Sequence, residues 1–167
     1  MKKYCFDNSA FSTPLQLTPP DVFSRLWQNV REFISSNQIA VTTEVLDEML
    51  LLPGELGEFI GEQKEKLLLE IGEGEWPYLE YLENVKEMQI EFKDNIARSN
   101  QKKGDIGITD ISIIALAKTL SLPLISSEKP VNVTSSSLKL KIPNVCAKVG
   151  VIHMDFNDFL REQNFDL

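Results

Sequence analysis

The sequence is poor in the side chains that most zinc sites and nucleophilic enzymes use. It has one histidine, His153, and two cysteines, Cys5 and Cys146, among 167 residues. One histidine cannot supply an HExxH motif, a three-histidine zinc site or a Cys2His2 finger. Because His153 sits in a short apolar segment typical of a strand, we expect a structural role for it. The cysteines form no CxxC pair, which argues against a zinc ribbon or disulfide scaffold and fits a reducing compartment.

Phosphate-binding motifs and excess positive charge are also missing. The chain has neither GxGxxG after a strand nor GxxxxGK[ST], so neither a dinucleotide site nor a Walker-type triphosphate site is indicated. Its 17 Lys and Arg residues against 25 Asp and Glu residues give a net charge of −8. Such a surface repels phosphate backbones, so a non-specific nucleic-acid coat protein is not expected. The chemistry that remains must come mostly from carboxylates.

No hydrophobic run is long enough to cross a membrane. The longest apolar stretch, residues 111–125, contains Lys118 and Pro123 and is shorter than the roughly 18 residues that a spanning helix needs. We expect no secretory signal in the first residues of this sequence, since Asp7 interrupts the apolar run after only three residues. These features predict a cytoplasmic protein, and the length predicts a single domain over residues 1–167.

Short apolar segments alternate with amphipathic ones along the chain. We expect strands at residues 3–6, 39–42 and 122–126 and around Val151, and a turn at Pro143-Asn144. Helices are expected at residues 21–34, 45–50 with Thr43 as cap, 55–71, 77–99, 111–120 and 156–163. Residues 99–104 are expected to form a hinge and 131–141 a long loop. Strands of this kind indicate an open α/β domain with a parallel sheet covered by helices on both faces.

Acidic residues follow the predicted strands. They are Asp7 after the first strand, Glu44 and Glu48 in the helix after the second, Asp110 at the start of a later helix, and Glu128 after the third strand. Because ligands of such sheets bind at the carboxyl ends of the strands, these acids should converge. Carboxylates that converge repel one another unless a cation neutralises them, and Mg²⁺ or Mn²⁺ prefers such oxygens. An ion of this kind supports phosphodiester hydrolysis.

The pattern resembles the PIN domain, the metal-dependent ribonuclease fold of VapC-type toxins, and in particular an uncharacterised branch of it. The segments that carry the resemblance span nearly the whole chain and are Tyr4-Cys5-Phe6-Asp7-Asn8-Ser9, Val45-Leu46-Asp47-Glu48-Met49, Thr109-Asp110, Ile113-Ile114-Ala115-Leu116-Ala117-Lys118, Leu124-Ile125-Ser126-Ser127-Glu128-Lys129 and Lys141-Ile142-Pro143-Asn144-Val145-Cys146. The resemblance implies a three-layer α/β/α sandwich with a short, mostly parallel central sheet.

The resemblance also assigns roles to single residues. Asp7, Glu48 and Asp110 match the three core acids that hold the metal and catalyse cleavage, and Glu128 matches a fourth acid that is usually Asp. Ser9 matches the small polar residue that supports the first carboxylate. Glu44, one turn before Glu48 on the same helix face, is an alternative second acid. The chain departs from the family at Asn8, where Thr is more usual, and at Ser126-Ser127-Glu128, which replaces Thr-x-Asp.

The resemblance implies an endoribonuclease dependent on Mg²⁺ or Mn²⁺, in which metal-bound water attacks RNA. It further implies the toxin of a toxin–antitoxin pair, an antitoxin protein as partner and a homodimer. The alternative is a catalytically inactive PIN-like module that binds a protein or nucleic acid. An aspartyl-phosphate enzyme of the haloacid-dehalogenase type is disfavoured because Ser9 occupies the position of its second Asp.

Simpler structural roles compete with these assignments. Asp110 is also suited to capping a helix, the acids around Glu48 to a solvated helix face, and Glu128 to pairing with Lys129. A patch that contacts phosphate would have to come from scattered basic residues, namely Arg25, Arg31, Lys102, Lys103, Lys129, Lys139 and Lys141.

Overall fold

A four-stranded parallel sheet is the centre of the part of the chain that the structure describes. The computed structural model describes residues 1–69, 76–97, 106–132 and 139–165. The strands are β1 (Tyr4–Phe6), β2 (Ile39–Ala40), β3 (Leu124–Ile125) and β4 (His153–Met154). Their order is β2-β1-β3-β4, and every neighbouring pair is parallel. All four carboxyl ends therefore lie along one edge of the sheet, which confirms the expected strand arrangement.

Helices cover the sheet, and the fold is the expected α/β three-layer sandwich. In chain order they are α1 (Ser9–Gln16), α2 (Ser24–Ser35), α3 (Thr43–Leu50), α4 (Glu55–Glu62), α5 (Lys64–Leu67), α6 (Tyr78–Glu91), α7 (Ile108–Leu120), α8 (Ile142–Val149) and α9 (Phe156–Gln163). Helix α7 contacts β1, and α6 packs against α7. Residues 111–117 of α7 are all buried, as expected for a helix that is apolar on every side.

Aromatic side chains bind the outer helices to the central strand. The ring of Phe159 on α9 lies 5.2 Å from that of Phe6 on β1 and 4.8 Å from that of Phe33 on α2, measured between centroids. The Tyr4 hydroxyl donates to the Glu162 carboxylate over 2.7 Å. Such ring pairs add to the hydrophobic stabilisation of their burial. The first strand is thereby fixed, and so is the position of the residue that follows it.

Several element boundaries differ from the sequence-based expectation. Helix α9 begins and ends as predicted, whereas α2 begins three residues after Asp21, and the α3 cap is Thr42 instead of Thr43. The helix predicted over residues 55–71 is interrupted at Gln63, and its last two residues lie outside the described ranges. The helix predicted over 77–99 ends at Glu91, and the predicted hinge at 99–104 also lies outside those ranges.

Two helices were not expected from the sequence. Helix α1 follows β1 directly even though Pro14 lies inside it. The turn predicted at Pro143-Asn144 is wrong, because both residues belong to the first turn of α8. Proline is tolerated there because its missing N–H would have had no partner within the helix. Across the described residues, no helix has the length and apolar character to cross a membrane.

Candidate active site

The carboxyl group of Asp7 lies at the centre of the sheet edge, directly after β1. The residue is 5% exposed. Its Oδ2 accepts hydrogen bonds from the Ser9 backbone N–H at 2.9 Å and from the Ser9 hydroxyl at 2.5 Å. Burial raises the pKa of Asp7 above its ordinary value, against the effect of these bonds, and the charge of Glu128 raises it further. These are the contacts that the resemblance implies for Ser9.

Ser9 also connects the ends of two neighbouring strands. Its hydroxyl oxygen accepts a hydrogen bond from the Ser127 backbone N–H at 3.1 Å, just beyond β3. One hydroxyl group thus orients Asp7 and joins the β1 end to the β3 end. The position of the Asp7 carboxylate is therefore set by the sheet itself and not by a mobile loop.

Asp110 lies in the first turn of α7, where its Oδ2 accepts the Gly107 backbone N–H at 2.7 Å. The residue does cap the helix, as its simpler interpretation predicts. It also faces the other acids. Burial is the main cause that raises the pKa of Asp110 to about 6, and the charges of Asp7, Glu128 and Glu48 raise it further against the Gly107 hydrogen bond. Asp110 thus caps α7 and also interacts with Asp7 and Glu48, and we call these three residues the acid cluster.

Glu48 and Glu44 occupy different surroundings although they share one face of α3. Partial burial and then the charge of Asp7 raise the pKa of Glu48, while a hydrogen bond from the Thr109 side chain opposes the shift. Glu44 instead lines a separate cavity, where its charge acts on Tyr81. The structure therefore places Glu48, and not Glu44, beside Asp7 and Asp110. Glu48 is exposed, in contrast to buried Asp7 and half-buried Asp110.

Glu128 lies after β3 with partners for both of its carboxylate oxygens. Oε1 accepts from the Lys141 ammonium at 2.9 Å, and Oε2 accepts from the Ile142 backbone N–H at 2.8 Å, at the start of α8. The pairing with Lys129 considered from the sequence does not occur, since Lys129 binds Asp155 at 2.6 Å. Glu128 is thus neutralised within the fold, and its role as a fourth metal ligand stays a prediction.

His153 reaches the same edge of the sheet from β4. Its Nε2 lies 2.8 Å from the hydroxyl oxygen of Ser126, which is fully buried and also accepts the Glu128 backbone N–H at 3.3 Å. Burial lowers the pKa of His153 below its ordinary value. The residue supports the β3 end, as its strand position suggested. Sequence reasoning missed this contact and the one between Lys141 and Glu128, because both join segments that are distant along the chain.

Three of the seven basic residues considered for a phosphate-contacting patch form ion pairs within the described part of the chain. Besides the lysines paired with Glu128 and Asp155, Arg31 forms an ion pair with Glu55 at 2.5 Å. Lys102 and Lys103 lie outside the described residues.

Sequence comparison gives the family but not its function. A family model named DUF4411, a domain of unknown function, matches residues 4–167. The chain belongs to the DUF4411 family. No curated protein matches it. Neither result links the chain to PIN domains or VapC toxins. All the acids described above lie within the matched region.

The acids of this DUF4411 protein fit a divalent cation by their chemistry, although they are not gathered as a ready-made site. Among residues 1–69, 76–97, 106–132 and 139–165, no three His, Cys, Asp or Glu side chains form a group that could hold a metal ion. The donors are nevertheless the carboxylates that Mg²⁺ and Mn²⁺ prefer, and a cation would offset the burial and the mutual repulsion that raise their pKa values. In the same ranges, no ion pair involves Asp7, Glu48 or Asp110. These three residues would hold the ion.

The residue after Asp7 adds a further unsatisfied group. The side-chain oxygen Oδ1 of Asn8 is buried and has no hydrogen-bond donor among the described residues. A buried oxygen without a donor is costly unless water or an ion satisfies it. The Asp7-Asn8 pair thus combines a desolvated carboxylate with an unpaired amide oxygen, and both are ligand types for a hard cation.

Proposed function

We propose that this DUF4411 protein is a metal-dependent endoribonuclease that hydrolyses phosphodiester bonds with Mg²⁺ or Mn²⁺. One observation carries the proposal. Asp7, Glu48 and Asp110 interact at the carboxyl edge of a parallel sheet, their pKa values are raised, and no ion pair of the described residues neutralises them. Ligand sites of open α/β folds occur at this edge, and perturbed carboxyls in one place are typical of functional sites.

The chain's own residues would hold the carboxylates in position. Ser9 orients Asp7, the Gly107 N–H orients Asp110, and Thr109 donates to Glu48. When bound, a divalent cation lowers the pKa of its water ligand and stabilises the charge that develops on the phosphate. The three acids would bind that ion, and Ser9 would keep Asp7 fixed while the ion binds.

The choice of RNA and the toxin role rest on the PIN-like resemblance. Its motifs run through the same acids in the same order, which supports a ribonuclease over other metal-dependent hydrolases. The proposal accordingly includes an antitoxin protein as partner and a homodimer as the assembly.

A catalytically inactive PIN-like binding module is the second candidate. Both oxygens of Glu128 already have donors, so one of the four predicted acids is engaged within the fold. The net charge of −8 also gives little general attraction for RNA. In this alternative, the sheet edge binds a partner without cleaving it.

Cleavage of labelled RNA by the purified protein tests the proposal. Single-stranded and structured RNAs are incubated with Mn²⁺, Mg²⁺ or EDTA, using wild type, Asp7→Asn and Asp110→Asn. Asp47→Asn is the matched control, because Asp47 is exposed on α3 next to Glu48. We expect metal-dependent cleavage by wild type and the control only. Folded wild type that cleaves none of these RNAs with either metal, or equal cleavage by all four proteins, would contradict the proposal.

A further inference from the structure

A cavity of about 290 Å³ lies beside the acid cluster. Three partly exposed aromatic residues, Trp76, Tyr78 and Tyr81, form much of its wall. Their rings contact one another, with centroids 5.2 Å apart for Trp76 and Tyr78 and 5.8 Å apart for Trp76 and Tyr81. The volume is close to the lower end of the range for small-ligand pockets, about 300 to 1,000 Å³.

Polar groups on the cavity wall are held in place by hydrogen bonds. The Tyr81 hydroxyl is hydrogen-bonded to the Ser112 side chain, and the Ser112 hydroxyl lies 3.1 Å from that of Thr42. Glu44 adds a carboxylate to the same wall. Burial raises the pKa of Tyr81 to about 12, and the charge of Glu44 raises it further. The cavity thus combines aromatic surface with one strong hydrogen-bond acceptor.

The cavity and the acid cluster both contain residues of α3 and α7. Glu44 lies one helical turn before Glu48 on α3, about 6 Å along the helix axis. On α7, Ile108 and Ser112 line the cavity, whereas Asp110 between them lies on the other side of the helix, since residues two apart do not share a face. The cavity is therefore linked to the acids through α3, and a ligand that extended one helical turn beyond Glu44 would reach Glu48.

We propose that this cavity binds one base of a single-stranded RNA adjacent to the phosphate that is cleaved, and that Glu44 selects bases with an exocyclic amino group. The proposal rests on the ribonuclease function proposed above. Aromatic side chains stack with unpaired bases of any sequence, and proteins read single-stranded RNA in this way. A carboxylate accepts hydrogen bonds from the amino groups of cytosine, adenine and guanine, which uracil lacks.

The three aromatic rings of the cavity contact one another directly and form one continuous surface, on which a flat group can stack. A base brings no charge of its own near Glu44, and its amino group can donate a hydrogen bond to that carboxylate.

Fluorescence anisotropy with labelled short single-stranded RNAs in Ca²⁺ tests this inference, with the RNA checked for integrity. We expect Trp76→Ala to weaken binding about tenfold, since stacking contributes about that factor per base. Phe23→Ala is the matched control, because Phe23 is 41% exposed and does not line the cavity. Circular dichroism shows whether the variants fold.

A second variant keeps the test decisive if Trp76→Ala does not fold. Wild type should bind cytidine or adenosine oligomers more tightly than uridine oligomers, and Glu44→Gln should reduce that preference. Unchanged affinity in folded Trp76→Ala, or unchanged base preference in Glu44→Gln, overturns the inference. Capture of a basic peptide instead of RNA by the cavity also overturns it.

Failure of the cavity proposal and failure of the ribonuclease proposal give different results. If cleavage of RNA is lost in Asp7→Asn but Trp76→Ala has the same KM as wild type, the proposed base site is refuted and the proposed nuclease function is retained. RNA binding that needs Trp76, without cleavage in Mn²⁺ or Mg²⁺, supports the base site and removes the nuclease.

Discussion

Two groups of acids lie at the same sheet edge, and among the described residues only one of them has basic partners. Glu128 is bound by the Lys141 ammonium and the Ile142 backbone N–H at the start of α8. Asp155 is bound in the same way, by Lys129 and by the Asp158 backbone N–H at the start of α9, and these bonds hold its pKa below the ordinary value. The other group, Asp7, Glu48 and Asp110, has raised pKa values and takes part in none of the ion pairs of the described residues.

The difference shows that acidic residues alone do not indicate function. A carboxylate with a lysine and a helix N-terminus as partners stabilises the fold. A desolvated carboxylate that faces other carboxylates destabilises it, so some other requirement must account for the arrangement. The proposed cation binding therefore concerns the group without basic partners, which we call the unpaired group, whereas Glu128 and Asp155, the paired group, have structural contacts.

The largest expected effect is the loss of RNA cleavage in Asp7→Asn. Asparagine preserves the size of the side chain and an oxygen that accepts the Ser9 bonds, but it removes the charge that would bind the cation. We expect kcat to fall at least about a hundredfold while the melting temperature stays equal or rises, since a buried charge is removed. Initial rates and thermal melts measure the two effects. A melting temperature that falls with activity would point to a structural role for Asp7.

Glu48→Gln compared with Glu44→Gln sharpens the assignment within α3. Because Glu48 faces Asp7 and Glu44 faces the aromatic cavity, we expect the first variant to lower kcat tenfold or more. The second should change KM and base preference instead. Steady-state kinetics on defined oligomers separate these effects, and Asp47→Asn is the control. A larger loss of kcat in Glu44→Gln would show that Glu44 is the second acid.

Mn²⁺ should stabilise the protein through the unpaired group. An ion that binds only the folded state at a hundred times its Kd adds about 2.7 kcal/mol of stability. Near neutral pH we expect a rise in the melting temperature of wild type with Mn²⁺ concentration, and a much smaller rise in Asp110→Asn. Thermal melts in Mn²⁺ and in EDTA measure this. An equal rise in both proteins would place the ion elsewhere.

Without metal, we expect the free energy of unfolding to vary with pH because the Asp110 carboxyl group ionises. Its pKa is about 6 in the folded protein against 3.8 for an ordinary Asp. Stability from this group is therefore fully present below about pH 4 and is lost as the pH rises through about 6. The difference amounts to roughly 3 kcal/mol. His153, whose pKa is lowered by burial, acts in the opposite direction, so urea melts must compare wild type with Asp110→Asn. Parallel pH profiles in the two proteins would refute the prediction.

The smallest expected effect concerns the paired group. Lys141→Met removes the ammonium from Glu128 but leaves the Ile142 N–H, so we expect a loss of about 1 kcal/mol in stability. RNA cleavage should stay within a few-fold of wild type. Urea melts and initial rates measure these quantities. A loss of cleavage as large as in Asp7→Asn would show that the two groups act as one site.

Much of the fold could be predicted because the hydrophobic patterns of single segments indicate the same strands and helices that the folded chain contains. The apolar run at β1, the apolar helix α7 and the amphipathic helix α9 each indicate one structure, and their order implies a parallel sheet. Helix α8 was missed because Pro143 was taken to indicate a turn, although proline fits the first turn of a helix; α1, which contains Pro14, was not predicted. The partners of Glu128 were missed because Lys141 is distant along the chain and the start of α8 was unknown.

The sheet order determines when the site can assemble during folding. The bond between Ser9 and Ser127 joins positions 118 residues apart in sequence, and β1 pairs with β3 over a similar distance. Contacts of such long range close slowly, because chain entropy is lost before they form. A nascent chain that has not yet reached β3 contains Asp7, Glu48 and Asp110 but cannot fix Asp7 in the sheet. Synthesis of the protein therefore separates the appearance of the acids from the formation of their shared site.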